Sequence, residues 1–555
     1  MACFMFLRLL VVVGTIASPI TAFFTSSGSP LFRCVLPAKT SPPQPPHAVG
    51  PFATVAQPAP TPVSPMPPSS TTSSSSLTNA PSSSGSLQPL GPGHGSGAPI
   101  DWWRQWYPMA FLDDLDPARP TQVELLGKLF VIWADHDKTW HAFEDQCPHR
   151  LAPLSEGRID ERGNLQCAYH GWSFSGQGGC VNIPQAEPEI KAVAERSGRA
   201  CAKAVPLLVA QGMVWLWPDN SPDGMEASRS QLPSTVPELH DPAFIRGAWV
   251  TRDLMYGYDT LVENVVDPAH VPFAHHGVQA QRSMAMPLNV SLNYVGKEGV
   301  FLSLPRLANS TIEFHAPTRL HYLFDFTGFF QRVPLMKWAF RLEKWLRRLP
   351  PDTRPRSSLV TYTIPVGPGR SRILALFPRN FFAINKPRWL DHLERNAVLD
   401  GDLVFLHGQE REMRRPELKW EENIDRAFYM PTKSDEGVRA FRQWLVRWGA
   451  GGPRWADGVD SALPPRSNDR HFLMDRYTQH TTQCSACRGA LRNIRVLKGV
   501  TAAMSLVCMT AIWTPRPASV LGKILGAGVA MAFGSWQMAR LEKRMLFIDY
   551  VHAHK

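Results

Sequence analysis

The sequence predicts an α+β protein with a β-rich N-terminal domain, a larger domain of mixed strands and helices, and a C-terminal hairpin of two transmembrane helices. Three observations predict it. Residues 121–143, "TQVELLGKLFVIWADHDKTWHAF", run in short β-type stretches split by the turn-forming "ADHDK". Between about 240 and 445, the strand-like "SSLVTYTIPV" and "SRILALFPRNFF" are mixed with the helical "DHLERNAVLDGDLVFLHGQEREM". Near the end, residues 499–515 and 524–539 carry no charged side chain.

In chain order, residues 1–22 have a signal-peptide layout: one arginine, an apolar run, then small residues in "ITA". Residues 23–99 are rich in Ser, Pro, Thr and Gly, with Arg33 and Lys39 their only charges, and the first acidic residue of the chain is Asp101. Such a segment buries too little apolar surface to order itself. An apolar signal followed by an acid-free, Ser-rich stretch starting at Phe23 resembles the two-part targeting sequence of algae with complex plastids. A secretory signal plus linker is the plainer reading. The β-rich domain is assigned to 100–220, the mixed domain to 221–470, a Cys-x-x-Cys segment to 471–496, the hairpin to 497–540 and a tail to 541–555.

Each uncharged run near the end is at the short limit for a spanning helix. "TPRPAS" breaks the chain between them; Lys498 precedes them and Arg540, Lys543 and Arg544 follow, which puts both ends on the positive side. A helix buried in a soluble core is the competing reading. Nine cysteines, an odd and sparse set, are not a disulfide scaffold. The net charge of +11 comes without a basic, aromatic-interleaved groove, so nucleic acid is not expected. It suits an acidic redox partner, anionic membrane lipid or a carboxylate-bearing substrate.

The most specific pattern is Cys147-x-His149 followed, seventeen residues on, by Cys167-x2-His170. Zinc fingers pair Cys with Cys and His with His. One Cys and one His per loop is what a Rieske [2Fe–2S] centre needs, with two thiolates on one iron and two imidazoles on the other. Cys147 and Cys167 are assigned to the first iron, His149 and His170 to the second. The glycines of "GWSFSGQGG" are expected to let backbone amides approach the sulfides. Cys180 reads as a small buried side chain.

"LVENVVDPAHVPFAHHG", residues 261–277, holds Asn264, Asp267, His270, His275 and His276. An i, i+5 pair does not share a face of a straight helix, but Pro272 between them distorts the turn. Two histidines and a carboxylate make the facial triad of a non-haem Fe(II) oxygenase, with positions left open for O2. Asp400 and Asp402 in "LDGDLVFLHGQE" offer the carboxylate. Cys484 and Cys487 read as a dithiol switch suited to thioredoxin; half of a zinc site, for which no second cysteine pair exists, or a plain structural role are the competing readings. Trp338, Leu342, Trp345 and Leu349 oppose Arg341, Lys344 and Arg348 on an amphipathic helix, which lies on a membrane or packs on the mixed domain.

The order of these motifs, with "YDTLVENVVDPAHVPFAHHG", "LDGDLVFLHGQER" and "DRYTQHTTQCSACRG", resembles the Rieske non-haem iron oxygenases of the pheophorbide a oxygenase group. That group takes in protochlorophyllide-oxidising and inner-envelope translocon-associated relatives, with chlorophyllide a oxygenase more distant. The resemblance covers about 101–540. It implies a helix-grip-like catalytic domain, a cluster reduced by ferredoxin, and O2 activated at Fe(II) on a chlorophyll-derived tetrapyrrole. It also implies a plastid membrane, envelope or thylakoid, and favours the plastid reading of the N-terminus. By the same motif His270, His275 and Asp402, rather than Asp400, bind iron. Asp267 is implied to bridge a cluster histidine of a neighbouring subunit and an iron histidine within a homotrimer; as an N-cap before Pro268 it has a local role as well. Two rivals are a redox-sensing component of a plastid envelope complex and a hydroxylase of a linear tetrapyrrole.

Overall fold

The computed structural model describes residues 97–247, 249–305, 308–382 and 386–554. The signal and targeting segments expected before residue 97 lie outside the described residues. The β-rich part contains β1 (Tyr107–Phe111), β2 (Thr121–Leu125), β3 (Lys128–Ala134), β4 (Trp140–Glu144), β5 (Arg158–Ile159), β6 (Leu165–Gln166), β7 (Ser173–Phe174), β8 (Cys180–Asn182), β9 (Ala204–Val205), β10 (Leu207–Ala210) and β11 (Met213–Leu216). They form sheets of order β1–β11–β10, β2–β3–β4–β9 and β5–β6–β7–β8.

"ADHDK" makes the turn between β3 and β4, where Ala134 pairs with Trp140. A second hairpin precedes it: Leu126 and Gly127 take φ of 54° and 77° and turn β2 back onto β3. Two consecutive positive φ values match the twist of a tight hairpin. The alternation of β3 then serves two cores. Phe130 and Ile132 join the main core, while Val131 and Trp133 pack with Phe143, Cys147 and Cys167.

The mixed part is built on a seven-stranded antiparallel sheet of β12 (Trp249–Leu254), β13 (Ser291–Gly296), β14 (Gly299–Leu304), β15 (Ser310–His315), β16 (Arg319–Asp325), β17 (Arg356–Gly367) and β18 (Arg370–Leu376). Its order is β12–β18–β17–β16–β15–β14–β13. Helix α1 (Tyr258–Val266) places Tyr258, Val262 and Val266, one helical turn apart, in the same core as Leu374 and Leu376 of β18. Ile373 and Ala375 point to the other face, where Leu403 and Leu406 of α2 (Arg388–Met413) cover them. Helix α3 (Glu436–Arg447) adds Phe441 and Trp444 against Phe314. The main core crosses the expected boundary at 220: Trp215 meets Tyr362 edge-on at 5.3 Å and Trp102 meets Tyr258 at 5.2 Å.

Helices α4 (Ser485–Ala511) and α5 (Ala518–Leu546) pair side by side and are long and apolar enough to cross a membrane. A Cβ on Gly528 would meet Cys508 at 3.0 Å, so this glycine lets the two backbones approach. At the base Glu542 pairs with Arg495 at 2.8 Å and with Lys498. The chain then returns to the body: Phe547 bridges Asp475, Asp549 pairs with Arg470, and the Tyr550 hydroxyl donates to the Ala274 carbonyl at 2.9 Å. The amphipathic helix Pro334–Arg347 is held by Phe340 and leaves Trp338, Leu342 and Trp345 exposed.

Candidate metal centres

Two loops with the same hydrogen bonding follow β4 and β6. In the first, the Cys147 N–H donates to Ala152 and the Leu151 N–H to Cys147, at 2.8 and 2.9 Å; in the second, Cys167 donates to Trp172 and Gly171 to Cys167, at 2.8 and 3.1 Å. The equivalent residues Leu151 and Gly171 have φ of 60° and 72°. Each loop therefore presents a cysteine inward and a histidine at the rim. Both sulfurs are buried. The His149 and His170 rings lie 4.6 Å apart on the outer side, and Trp172 stacks on His149 at 4.6 Å and 5°. Burial, with the Cys167 sulfur alongside, pushes the Cys147 thiol up to about 12. A bound cation reverses that preference, since metal ligation takes the thiolate. Buried sulfurs and outward imidazoles fit a cluster that exchanges electrons through its histidine side. Of the glycines in "GWSFSGQGG", Gly171 supplies the loop turn and Gly178 packs against the Ala202 carbonyl, where a Cβ would sit at 2.3 Å.

The second constellation starts where α1 ends. Asp267 interrupts the helix and its Oδ1 accepts from the Ala269 N–H at 2.7 Å, capping the short turn Pro268–His270. A single helical turn, Val271–Ala274, follows with Pro272 at its start, and His275 ends it. Two short turns at an angle, rather than one straight helix, bring the i, i+5 pair together. His270 Nε2 lies 3.2 Å from His275 Nε2, which lies 3.5 Å from Asp402 Oδ2 of α2. The His270 Nδ1–H donates to the Asp267 backbone carbonyl at 2.5 Å, leaving the Nε2 lone pair facing the site. Asn264 sits 3.5 Å from His270 Nε2 and also reaches the Asp402 carboxylate.

The polar groups here are incompletely served. Asp402 Oδ1 has no partner, and His275 Nδ1, near the Val398 carbonyl, makes no close hydrogen bond. Burial raises the Asp402 carboxyl well above its usual range and lowers His270 to about 4 and His275 to about 3. Two neutral imidazoles beside a buried carboxylate that lacks a counter-charge are the donor set a divalent cation completes.

Residues 105–202 match the Rieske [2Fe-2S] domain and residues 314–420 the pheophorbide a oxygenase domain. The chloroplastic pheophorbide a oxygenase of Arabidopsis thaliana is 37% identical over 485 residues, 82% of this chain and 85% of its own length. This chain belongs to the pheophorbide a oxygenase family. It is a Rieske-type oxygenase. Flavonoid 8-hydroxylase 2 of Ocimum basilicum is 36% identical, covering 82% of this chain and 86% of its own. The protochlorophyllide-dependent translocon component 52 of Arabidopsis thaliana is 33% identical with the same coverage, 82% and 86%.

In this pheophorbide a oxygenase family member Asp400 faces away from the histidines. Its Oδ1 accepts from Arg252 at 2.7 Å and its Oδ2 from Arg476, all three side chains fully buried. His276 also stays outside the triad; its Nδ1 accepts from the Arg282 N–H at 3.0 Å. Asp267 touches His270 through its main chain, and its Oδ2 stands 3.9 Å from the ring. Cys484 and Cys487 are each only 2% exposed and face His392 and His480.

Three residues near the triad escaped the sequence. A Cβ at Gly401 would meet the Ala274 carbonyl at 2.7 Å and His275 Nδ1 at 3.0 Å, so the absence of a side chain lets α2 approach the histidines. Tyr550 and His552, from the returning chain, lie against Ala274 and Phe405. "VLDGDLV" did carry a signal for Gly401, since an interior helix glycine costs about 1 kcal/mol and is kept for a packing reason. Nothing local marks Tyr550 or His552.

Proposed function

We propose that this chain is a membrane-anchored plastid Rieske monooxygenase that oxidises a chlorophyll-derived cyclic tetrapyrrole with O2 and electrons from a ferredoxin. Its metal-binding residues are Cys147, His149, Cys167 and His170 for the cluster and His270, His275 and Asp402 for mononuclear iron. The observation that carries the reading is the undercharged His270–His275–Asp402 face, with His275 and Asp402 buried, on a chain of this family. When loaded, such a site supplies O2 activation at Fe(II), fed by the [2Fe–2S] centre. The protein's part is orientation and exclusion of water. The Asp267 carbonyl fixes the His270 tautomer, the Asn264 amide holds Asp402 in line, and α2 closes the site from one side. In a homotrimer the Asp267 carboxylate, not needed by its own His270 ring, is available to a cluster histidine of the next subunit. The likeness to a translocon component supports a second reading, a redox sensor in an envelope complex; an intact triad favours turnover.

The test is product analysis by mass spectrometry with reduced ferredoxin and isotopically labelled O2. The panel is pheophorbide a, chlorophyllide a, protochlorophyllide, a linear tetrapyrrole and a flavone. Labelled oxygen in, or oxidation of, a cyclic tetrapyrrole is expected. Turnover confined to the flavone or the linear pigment would refute the substrate class, and no turnover with a reducible cluster would favour the sensor.

A further inference from the structure

His392, His480, Cys484 and Cys487 are four buried side chains whose ligand atoms all lie within 4.8 Å of one another. They come from two places. His392 is in the first turns of α2, and His480, Cys484 and Cys487 form a His-x3-Cys-x2-Cys run leading into α4. His392 Nδ1 is 3.5 Å from the Cys484 sulfur and 3.4 Å from that of Cys487; His480 Nε2 is 3.3 Å from Cys487. Bond lengths of about 2.3 Å to sulfur and about 2.0 Å to nitrogen in a tetrahedron give S···N edges of about 3.5 Å. The three measured edges match that figure.

The far sides of both rings are fixed. His392 Nε2 faces the Trp249 carbonyl and His480 Nδ1 the Thr251 carbonyl, each at 2.6 Å. A carbonyl only accepts, so each of those nitrogens carries the proton and the nitrogen facing the sulfurs presents a lone pair. Both carbonyls belong to β12, the edge strand of the large sheet, and lie two residues apart, so they point the same way. The edge that would otherwise be left unpaired orients two imidazoles. Histidine held by a carbonyl through its other N–H is the usual outer shell of a metal ligand.

We propose that this cluster binds one tetrahedral zinc ion as a closed structural site. Two thiolates and two neutral imidazoles around a divalent cation sum to zero charge, which suits complete burial. All four positions are filled by protein, and two sulfurs and two imidazoles converging on one point, rather than divided between two irons, suit zinc. The ion fastens α2, which carries Asp402, to the root of the hairpin. It also gives a role to a Cys-x-x-Cys pair that is buried against two histidines.

The test uses the full-length detergent-solubilised protein. Metal analysis should find one zinc per chain beside the iron, with two sulfur and two nitrogen neighbours by zinc-edge X-ray absorption. In the native state Cys484 and Cys487 should resist alkylation. Cys487→Ser should lower zinc occupancy by roughly tenfold or more and leave the Rieske spectrum in place. Cys147→Ser, which disables the cluster loops, should keep the zinc, showing that the ion is not misplaced there. Iron alone in the wild-type protein, freely alkylated thiols, or a Cys484–Cys487 disulfide would each overturn the assignment, and none of these readouts needs a variant to fold.

Discussion

Gly401→Ala adds one methyl group at the point where α2 touches the histidine loop. The new carbon would lie 2.7 Å from the Ala274 carbonyl oxygen and 3.0 Å from His275 Nδ1. Ordinary contact begins near 3.4 Å, so helix and loop must part by about 0.7 Å. Neither neighbour is a flexible side-chain tip, so the displacement passes to the gap between His275 and Asp402. Replacing an interior helix glycine gains about 1 kcal/mol, and overpacking costs about 1–3 kcal/mol, so the net loss of stability is small. Iron affinity should suffer more, because disturbing the support of a metal ligand typically costs about 10–100-fold. The measurement is iron per chain, the Rieske spectrum and the melting temperature on one sample. Mononuclear iron should fall while the cluster spectrum and melting curve hardly change. Gly499→Ala, with nothing within 4 Å of the added carbon, is the control. Full iron and unaltered turnover in Gly401→Ala would refute the idea that this contact sets the site.

Asp402→Ala should lose mononuclear iron and product formation with an intact Rieske spectrum, whereas Asp400→Ala should leave Arg252 and Arg476 buried without a counter-charge and cost about 3–5 kcal/mol in denaturant unfolding; equal effects on iron would mean the two roles are misassigned. Asp267→Asn keeps a side-chain oxygen for the Ala269 N–H, so both metals should stay, and single-turnover kinetics should show a cluster that reduces normally but reoxidises slowly. Excising residues 499–539 and joining Lys498 to Arg540 by a short turn should free the protein from membranes at high salt with its iron retained; persistent carbonate-resistant membrane binding would show that the hairpin is not the anchor.

What could be read from the sequence was what is local. Each Rieske loop carries its own Cys and His within four residues, and the triad histidines are five apart, so spacing alone pointed to them. The choice between Asp400 and Asp402 is different. Two residues on a helix face about 200° apart, and only the positions of Arg252, Arg476 and His275, distant in sequence, decide which carboxylate turns where. His392 lies 92 residues before Cys484, so no local rule joined it to the cysteine pair, although His480 was within sight. Strand β17 stood out by its β-branched residues and β18 by its short apolar run. The Leu126–Gly127 turn was hidden because its first position is an apolar leucine rather than the Asn or Asp that marks such turns, and the contact of Trp215 with Tyr362 joins residues far apart in sequence. The segment after 540 has no pattern of its own, because its role is set by what it comes back to.

That return makes the hairpin of α4 and α5 a loop with two roots. One root is held at Cys484 and Cys487, the other by Asp549 and Tyr550. A protease that cuts the connector between α4 and α5 would leave two polypeptides, neither of them released: the piece from Ala518 onward stays clasped through Glu542 and its contacts around Arg470 and Ala274. The nicked protein should run as two bands under denaturing conditions and as one species otherwise. For the proposed membrane-spanning hairpin, the return of the chain to Arg470 and Ala274 predicts that residues after Leu546 lie on the side of the catalytic domain, with only the connector open to reagents from the other side.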